Sequence, residues 1–283
     1  MKKRMPIGRR PTRRPWLLTT TATLITAAFL LPVYWMVNTS LTEPDRILAE
    51  SPQWVPAPAT TENYARALSD GALLQALFNS LVISCGVVAL TLLLGVPLAY
   101  ALARIPMRGS GTMVLVLLIA QLPPSIVLAA PLFILERRAG LDDTYLGLIA
   151  ADTTLTLPFA VIVLRPVLRS VPRELEEAAL VDGCGPMGVL LRIVLPIMVP
   201  GLVAVAGLSF LIGWGEFVFG LTLAEKPDVQ PVTVLLSAFV GQHGTAWGAL
   251  MATATLISIP VVCVFAVFQR FITGGLTTGT IKA

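Results

Sequence analysis

Apolar residues in this chain fall in long uninterrupted runs, with polar residues gathered in short stretches between them. Six runs reach the roughly 20 residues that an α-helix needs to cross the hydrocarbon core of a bilayer. They predict helices over 16–37, 77–102, 112–135, 145–164, 197–221 and 249–268. No water is available inside a bilayer core, so backbone N–H and C=O groups must pair within their own segment. The expected fold class is therefore all-α, an integral membrane protein with six transmembrane helices. Between the first two runs, segment 38–72 holds Pro44, Pro52, Pro56 and Pro58 and predicts an irregular cap with short helical pieces. Segment 222–247 contains Gln230-Pro231-Val232. It is too short and interrupted to span, and is expected to dip back toward the membrane under a cover of protein. Pro123-Pro124 and Pro158 are expected to break or kink the third and fourth helices.

Composition agrees with a bilayer. The chain is 55% hydrophobic and only 13% charged, against about a quarter charged in soluble domains. The net charge of +4 would suggest nucleic acid in a soluble protein, but here the placement of charge decides. Of the 20 Lys and Arg residues, only Arg46, Arg66, Arg137, Arg138 and Lys226 fall on the outer side when the N-terminus is inside. Basic residues accumulate in cytoplasmic loops, so both termini are expected in the cytoplasm, with a basic N-terminus at 1–15 and a tail at 270–283. Run 16–37 is longer than an ordinary signal-peptide core and no A-x-A site closes it, so it is expected to be a retained helix. Cys85, Cys184 and Cys263 lie in apolar runs or on the inner side, which predicts no disulfide. His243 is the single histidine, and alone it builds no metal site.

One polar island stands apart. Glu177-Ala178-Ala179-Leu180-Val181-Asp182-Gly183 lies between the fourth and fifth runs, with Ile193-Val194-Leu195-Pro196 beyond it. On a helix, Leu175, Ala179 and Gly183 recur every four residues and define a face made mostly of small side chains. Glu174, Glu176 and Glu177 follow Pro172, where acids suit the positive end of the helix dipole. Gly183, Gly185 and Pro186 are expected to end the helix. The island is read as a short helix in water, shaped to receive another surface.

The spacing E-A-A, three residues, G, nine residues, I, one residue, L-P resembles that of binding-protein-dependent ABC importer permeases of the type I fold. More narrowly, the chain is similar to the MalG-like carbohydrate permease family. The likeness continues at Asn79-Ser80-Leu81, at Ala99-Tyr100-Ala101-Leu102-Ala103-Arg104, at Arg169-Ser170-Val171-Pro172, at Trp214-Gly215-Glu216-Phe217 and at Gly275-Leu276-Thr277 with Lys282. The resemblance implies an ABC transmembrane domain over 73–269 with a coupling loop at 165–196. Glu174, Glu177, Ala178, Ala179, Gly183 and Pro196 would dock on a cytoplasmic ATPase, and Gly275, Leu276 and Thr277 would add a contact from the tail. It also implies two ATP-binding subunits, a second non-identical permease, an extracytoplasmic solute-binding protein and a bacterial cytoplasmic membrane. The chain has no G-x-x-x-x-G-K-[ST] loop. No cofactor is expected on it, and ATP and Mg would sit on the partners. It is read as a transport subunit that imports a sugar or oligosaccharide. Polyamine or glycerol phosphate import, and an ion-coupled secondary transporter, are the alternatives.

Two acids lie inside apolar runs, Asp152 and Glu216. At mid-helix each costs about 2.5–3.5 kcal/mol on insertion scales, so each should face protein or a wet cavity. Either a structural hydrogen-bond anchor or a residue of the translocation path satisfies that demand. Trp214 and Phe217, in a stripe with Phe210, either pack on a neighbouring helix or stack on sugar rings.

Overall fold

The computed structural model describes residues 15–278 apart from 50, 52, 70, 242 and 243. His243, Pro52 and the basic residues of the extreme N-terminus lie outside the described residues. So do the side chains from 270 onward, among them Gly275, Leu276 and Thr277.

Among the described residues four helices are long and apolar enough to cross a bilayer: α1 (Pro15–Ser40), α3 (Ala72–Arg104), α6 (Tyr145–Ser170) and α13 (Trp247–Thr278). Two bent pairs bring the number to six when each pair counts as one span. The first is α4 (Ser110–Ala120) with α5 (Ser125–Ala139), which meet at 100° across Pro123-Pro124. In the second, a bend of 82° at Met198 separates the stretch Pro186–Ile197 from α10 (Val199–Gly215). The third expected span is thus broken rather than continuous, and the fifth begins at the Met198 bend and is interrupted after Gly215. Proline explains both bends, because it removes a donor and its ring crowds the carbonyl four residues earlier. Pro158 behaves otherwise. It is buried and α6 runs through it uninterrupted, so of the expected break or kink there is no break, since packing by neighbouring helices accommodates proline within a membrane span.

Helices α3 and α6 form the most extensive pairing, and α10 lies against both. Small residues permit the close approach: a Cβ on Gly95 would sit 3.3 Å from Ala160 Cβ, and the Thr91 and Thr156 hydroxyls bond at 2.5 Å across the seam. Small side chains and interhelical hydroxyl bonds do the work that hydrophobic burial cannot do between helices in lipid. Helix α1 packs on α13.

At the end of the bundle opposite the polar island, α11 (Val218–Leu223) and α12 (Val232–Ala238) are linked by a non-helical segment. Backbone there is costly unless its groups are paired. Ser80 Oγ accepts from the Val232 N–H at 2.8 Å, and Asn79 Nδ2 donates to the Gln230 carbonyl at 2.9 Å. Tyr145 holds Asn79 by donating to its Oδ1 at 2.7 Å. Asn79-Ser80 therefore serves as the anchor of a segment 150 residues downstream.

A second tether fixes the same end. Asp143 Oδ1 accepts from the Glu225 and Lys226 N–H groups at 2.6 and 2.9 Å. Its backbone is left-handed, φ 55°, a conformation Asp tolerates. The Lys226 N–H, then the Glu225 N–H and the Lys226 ammonium, hold the carboxyl below its ordinary value of 3.8 against the opposing effect of desolvation. A depressed folded pKa means the contribution is complete above 3.8 and is lost as pH falls through the lower folded value. Asp143→Ala should raise hydrogen exchange at the Glu225 and Lys226 amides roughly five- to tenfold at neutral pH, as expected for bonds near 1 kcal/mol. Acidification should reproduce that loss of protection, taken against the intrinsic exchange rate at each pH, in the parent protein and not in the variant. Equal exchange in both proteins would remove the tether.

Candidate functional site

The polar island forms α7 (Arg173–Val181). It starts at Pro172, whose fixed φ of −59° begins the turn. It ends in a Schellman motif: the Cys184 N–H bonds to the Ala179 carbonyl at 2.9 Å and the Gly183 N–H to the Leu180 carbonyl at 3.1 Å. That motif needs a left-handed residue, and Gly183 supplies it at φ 89°. An added Cβ at Gly183 would meet nothing, so the glycine answers to its backbone conformation rather than to crowding. It lies beyond the last helical residue and cannot share a helical stripe with Ala179.

The expected docking stripe of Leu175, Ala179 and Gly183 is accordingly corrected. Ala179 is buried in the core formed by the inner ends of α3 and α6. The face presented to solvent is Glu174, Glu177, Ala178 and Val181, spaced i, i+3, i+4 and i+7, and Val181 is 88% exposed. Leu180 and Met187 extend its apolar part. Pro186 does not end the helix as expected. It opens α8 (Pro186–Val189).

Glu176 holds α7 to the bundle. It is buried, unlike Glu174 and Glu177. Its Oε1 pairs with Arg104 Nη2 at 2.5 Å, and Oε2 accepts from the Tyr100 hydroxyl at 2.9 Å. Arg104 also donates to the Val171 carbonyl at 2.7 Å, and Arg165 Nε donates to the Leu102 carbonyl at 3.2 Å. Tyr100 and Arg104 are four apart, hence on one face of α3. The run Ala99–Arg104 and the run Arg173–Val181 are thus two halves of one joint. Sequence reasoning quoted both and did not join them. The available signal was the i, i+4 pair of a phenol and a guanidinium at the inner end of a span, together with the acids Glu174, Glu176 and Glu177 at the start of the island.

The chain leaves the joint through a π-helical turn, Leu190–Val194, and a short helix α9 (Leu195–Ile197). Pro196 offers no N–H to the preceding turn, and the backbone widens there before the bend at Met198. Pro196 itself is exposed.

The acids and aromatics of the spans separate in space. Glu216 sits in the break between α10 and α11, where its carboxylate accepts the N–H groups of Val218, Phe219 and Gly220 at 2.9, 2.7 and 3.3 Å. It caps α11 and satisfies donors that the break exposes. Asp152, in α6, is 3% exposed and its Oδ1 is buried without a partner. Trp214 is buried and stacks on Phe210 with centroids 5.6 Å apart. Phe217 is partly exposed. Among the described residues no cluster of His, Cys, Asp and Glu is arranged to hold a metal.

Breaking the joint from one side leaves a buried charge unpaired, at a cost of about 3–5 kcal/mol, whereas replacing both partners by apolar groups is often neutral. Glu176→Ala should therefore lower the midpoint of thermal unfolding clearly, and the Glu176→Leu/Arg104→Met pair should recover most of the loss. Additive losses in the double variant would show that the two residues do not act together.

Comparison with known proteins places this geometry. Residues 72–277 match the family described as binding-protein-dependent transport system inner membrane component. The chain is 34% identical over 262 residues to the trehalose transport system permease SugB of Mycobacterium tuberculosis, covering 92% of this chain and 95% of that protein. It is 30% identical to the diacetylchitobiose uptake system permease DasC of Streptomyces coelicolor, covering 93% and 95%. Among solved structures, a bacterial ABC transporter that imports the acidic polysaccharide alginate superposes with a TM-score of 0.78 over 94% of this chain and 99% of that one, at 20% identity. The chain belongs to the family of binding-protein-dependent transport system inner membrane components and has the type I ABC importer permease fold.

Proposed function

We propose that this chain is the membrane subunit of an ATP-driven importer that takes up a sugar or oligosaccharide. A solute-binding protein delivers the sugar, and two separate ATP-binding subunits drive transport. The observation that carries the reading is the outward face of α7, Glu174, Glu177, Ala178 and Val181, on a helix whose opposite face is locked to α3 by Glu176. A surface that is small, acidic at its head and rigidly backed receives a cleft on a partner and passes the partner's movement to the bundle. A freely hinged helix would absorb it. The named relatives, which handle trehalose and diacetylchitobiose, support the sugar class. One solved neighbour, an alginate ABC transporter, is in complex with a periplasmic protein bound to alginate pentasaccharide, which supports the delivery route.

In this reading α7 is cytoplasmic, both termini share its side, and the anchored segment between α11 and α12 faces outward. The arginines Arg165, Arg169, Arg173 and Arg192 around α7 favour that orientation. A second, non-identical permease completes the path. Helix α4 has no buried residue and α1 is exposed from residue 16 to residue 34, so the described residues of this chain alone enclose no sugar-sized corridor. The tail residues Gly275, Leu276 and Thr277 extend the contact with the ATPases in the same reading.

Val181→Arg places charge on the outward face at a helical position that accepts any side chain. It should abolish ATP-dependent uptake of the transported sugar while leaving membrane insertion and thermal stability within about 0.5 kcal/mol of the parent, as for ordinary surface substitutions. Gly183→Trp is a poorer probe, because a side chain at φ 89° strains the turn itself. Undiminished uptake by Val181→Arg in membranes containing the full transporter would contradict the docking role.

A further inference from the structure

A recess opens between the start of α4 and the last turns of α6, at the end of the bundle that carries α7. Val114, Ile162, Arg165, Pro166 and Arg169 line it, and its cavity volume is about 220 Å³. Arg165 and Arg169 are four apart and share one face of α6. They lie nearer the end of α6 than Ile162 does, while Val114 sits one turn inside α4. The recess thus passes from an apolar wall on the bilayer side to a charged rim on the side of α7.

The charge at the rim is accessible and uncompensated. Arg165 is half-buried and Arg169 exposed. Among the described residues the ion pair at this end joins Arg104 to Glu176, and no carboxylate pairs with Arg165 or Arg169. Arg165 Nε donates to the Leu102 carbonyl at 3.2 Å. That bond sets the guanidinium beside the end of α3 and leaves its remaining donors for a ligand. The wall below is as definite. Val114 and Ile162 are half-buried, and Pro166 is exposed and presents ring carbons. Next to Val114, α4 turns Met113, Leu115 and Val116 outward.

Two uncompensated cations over an apolar wall, at the margin of a membrane span, define the chemistry. A soluble phosphate would satisfy the arginines and make no use of Val114, Ile162 and Pro166. A zwitterionic lipid would bring a cation of its own toward the guanidinium groups. The recess is smaller than the roughly 300 Å³ at which small-molecule sites begin, so it suits part of a molecule whose remainder stays in the bilayer. Basic pockets between membrane helices at the cytoplasmic side collect anionic headgroups. We infer that this recess binds an anionic phospholipid, with its phosphate on Arg165 and Arg169 and the first carbons of one acyl chain against Val114, Ile162 and Pro166. The lipid ties the start of α4, a helix with no buried residue, to α6. The inference rests on the proposed orientation only for the choice of leaflet, the cytoplasmic one.

The test uses the assembled transporter in phosphatidylcholine nanodiscs that contain a subsaturating trace of photoreactive lipid, with a diazirine near the head of the acyl chain. Peptide mass spectrometry after illumination maps the crosslinks. Photoreactive phosphatidylglycerol should label the stretches around Val114 and Ile162 several times more than phosphatidylcholine of identical chains. Arg165→Gln and Arg169→Gln should each lower that labelling roughly fivefold, the factor that corresponds to about 1 kcal/mol per basic residue. Arg169→Lys should retain most of it, because the charge stays. Arg169 is exposed, so its variants should keep the parent unfolding midpoint and remain readable even where Arg165→Gln disturbs the bond to Leu102. Equal labelling by the two lipids, or labelling that survives both Gln variants, overturns the site. Absence of labelling at both stretches overturns it as well, because a partner subunit then covers the recess. Loss of labelling on addition of millimolar glycerol phosphate also counts against it, since the recess would then take a soluble phosphate. Uptake is not the readout, so a failed lipid site leaves the import reading standing, and failed uptake with labelling intact leaves the lipid site standing.

Discussion

A buried ion pair at the inner end of the bundle is the contact on which the rest depends. Glu176 reaches from α7 into the core to meet Arg104 and Tyr100 of α3, and Ala179 closes the same side of the helix against apolar neighbours. Taking two charges out of water is expensive, and apolar side chains of similar volume would hold the helix at least as firmly. What the pair adds is direction. A guanidinium that also binds the Val171 carbonyl fixes both the start of α7 and its rotation about its own axis. That rotation decides which residues of α7 face outward.

Away from α7, the bilayer imposes a different demand. Each break in a span exposes backbone that lipid cannot solvate, and the break after α10 has local answers. Glu216 caps α11 where α10 ends. Asn79 and Ser80 pair with the backbone of the segment that follows α11, while Asp143 binds its beginning. The polar residues of the spans thus go largely to repairing interruptions. Those interruptions let a bundle of few helices bend and still stay anchored, with α3 and α6 as its straight spine.

The spans were legible because length and hydropathy suffice for them, and the positions of Pro123-Pro124 and Gly183 announced a break and a turn. The direction of faces was less legible. Periodicity offered the stripe Leu175, Ala179, Gly183 as readily as Glu174, Ala178, Val181, since the choice depends on where Glu176 is pulled, and its partner lies 72 positions away at Arg104. Pro158 misled for a related reason: a proline breaks an isolated helix, but α6 is packed on several sides and stays whole. The acids of the spans looked alike in sequence. Only the fold separates Glu216, which caps a helix, from Asp152, which is enclosed with one oxygen unpaired.

The account stands on α7 and α3 moving as one piece. Spin labels at positions 105 and 175, both exposed and neither on the outward face of α7, measure the distance between them in the assembled transporter by pulsed electron resonance. The account predicts one distance distribution, unchanged between the nucleotide-free and ATP-trapped states. A shift of several ångströms between those states would mean that α7 swivels on the bundle instead of carrying it.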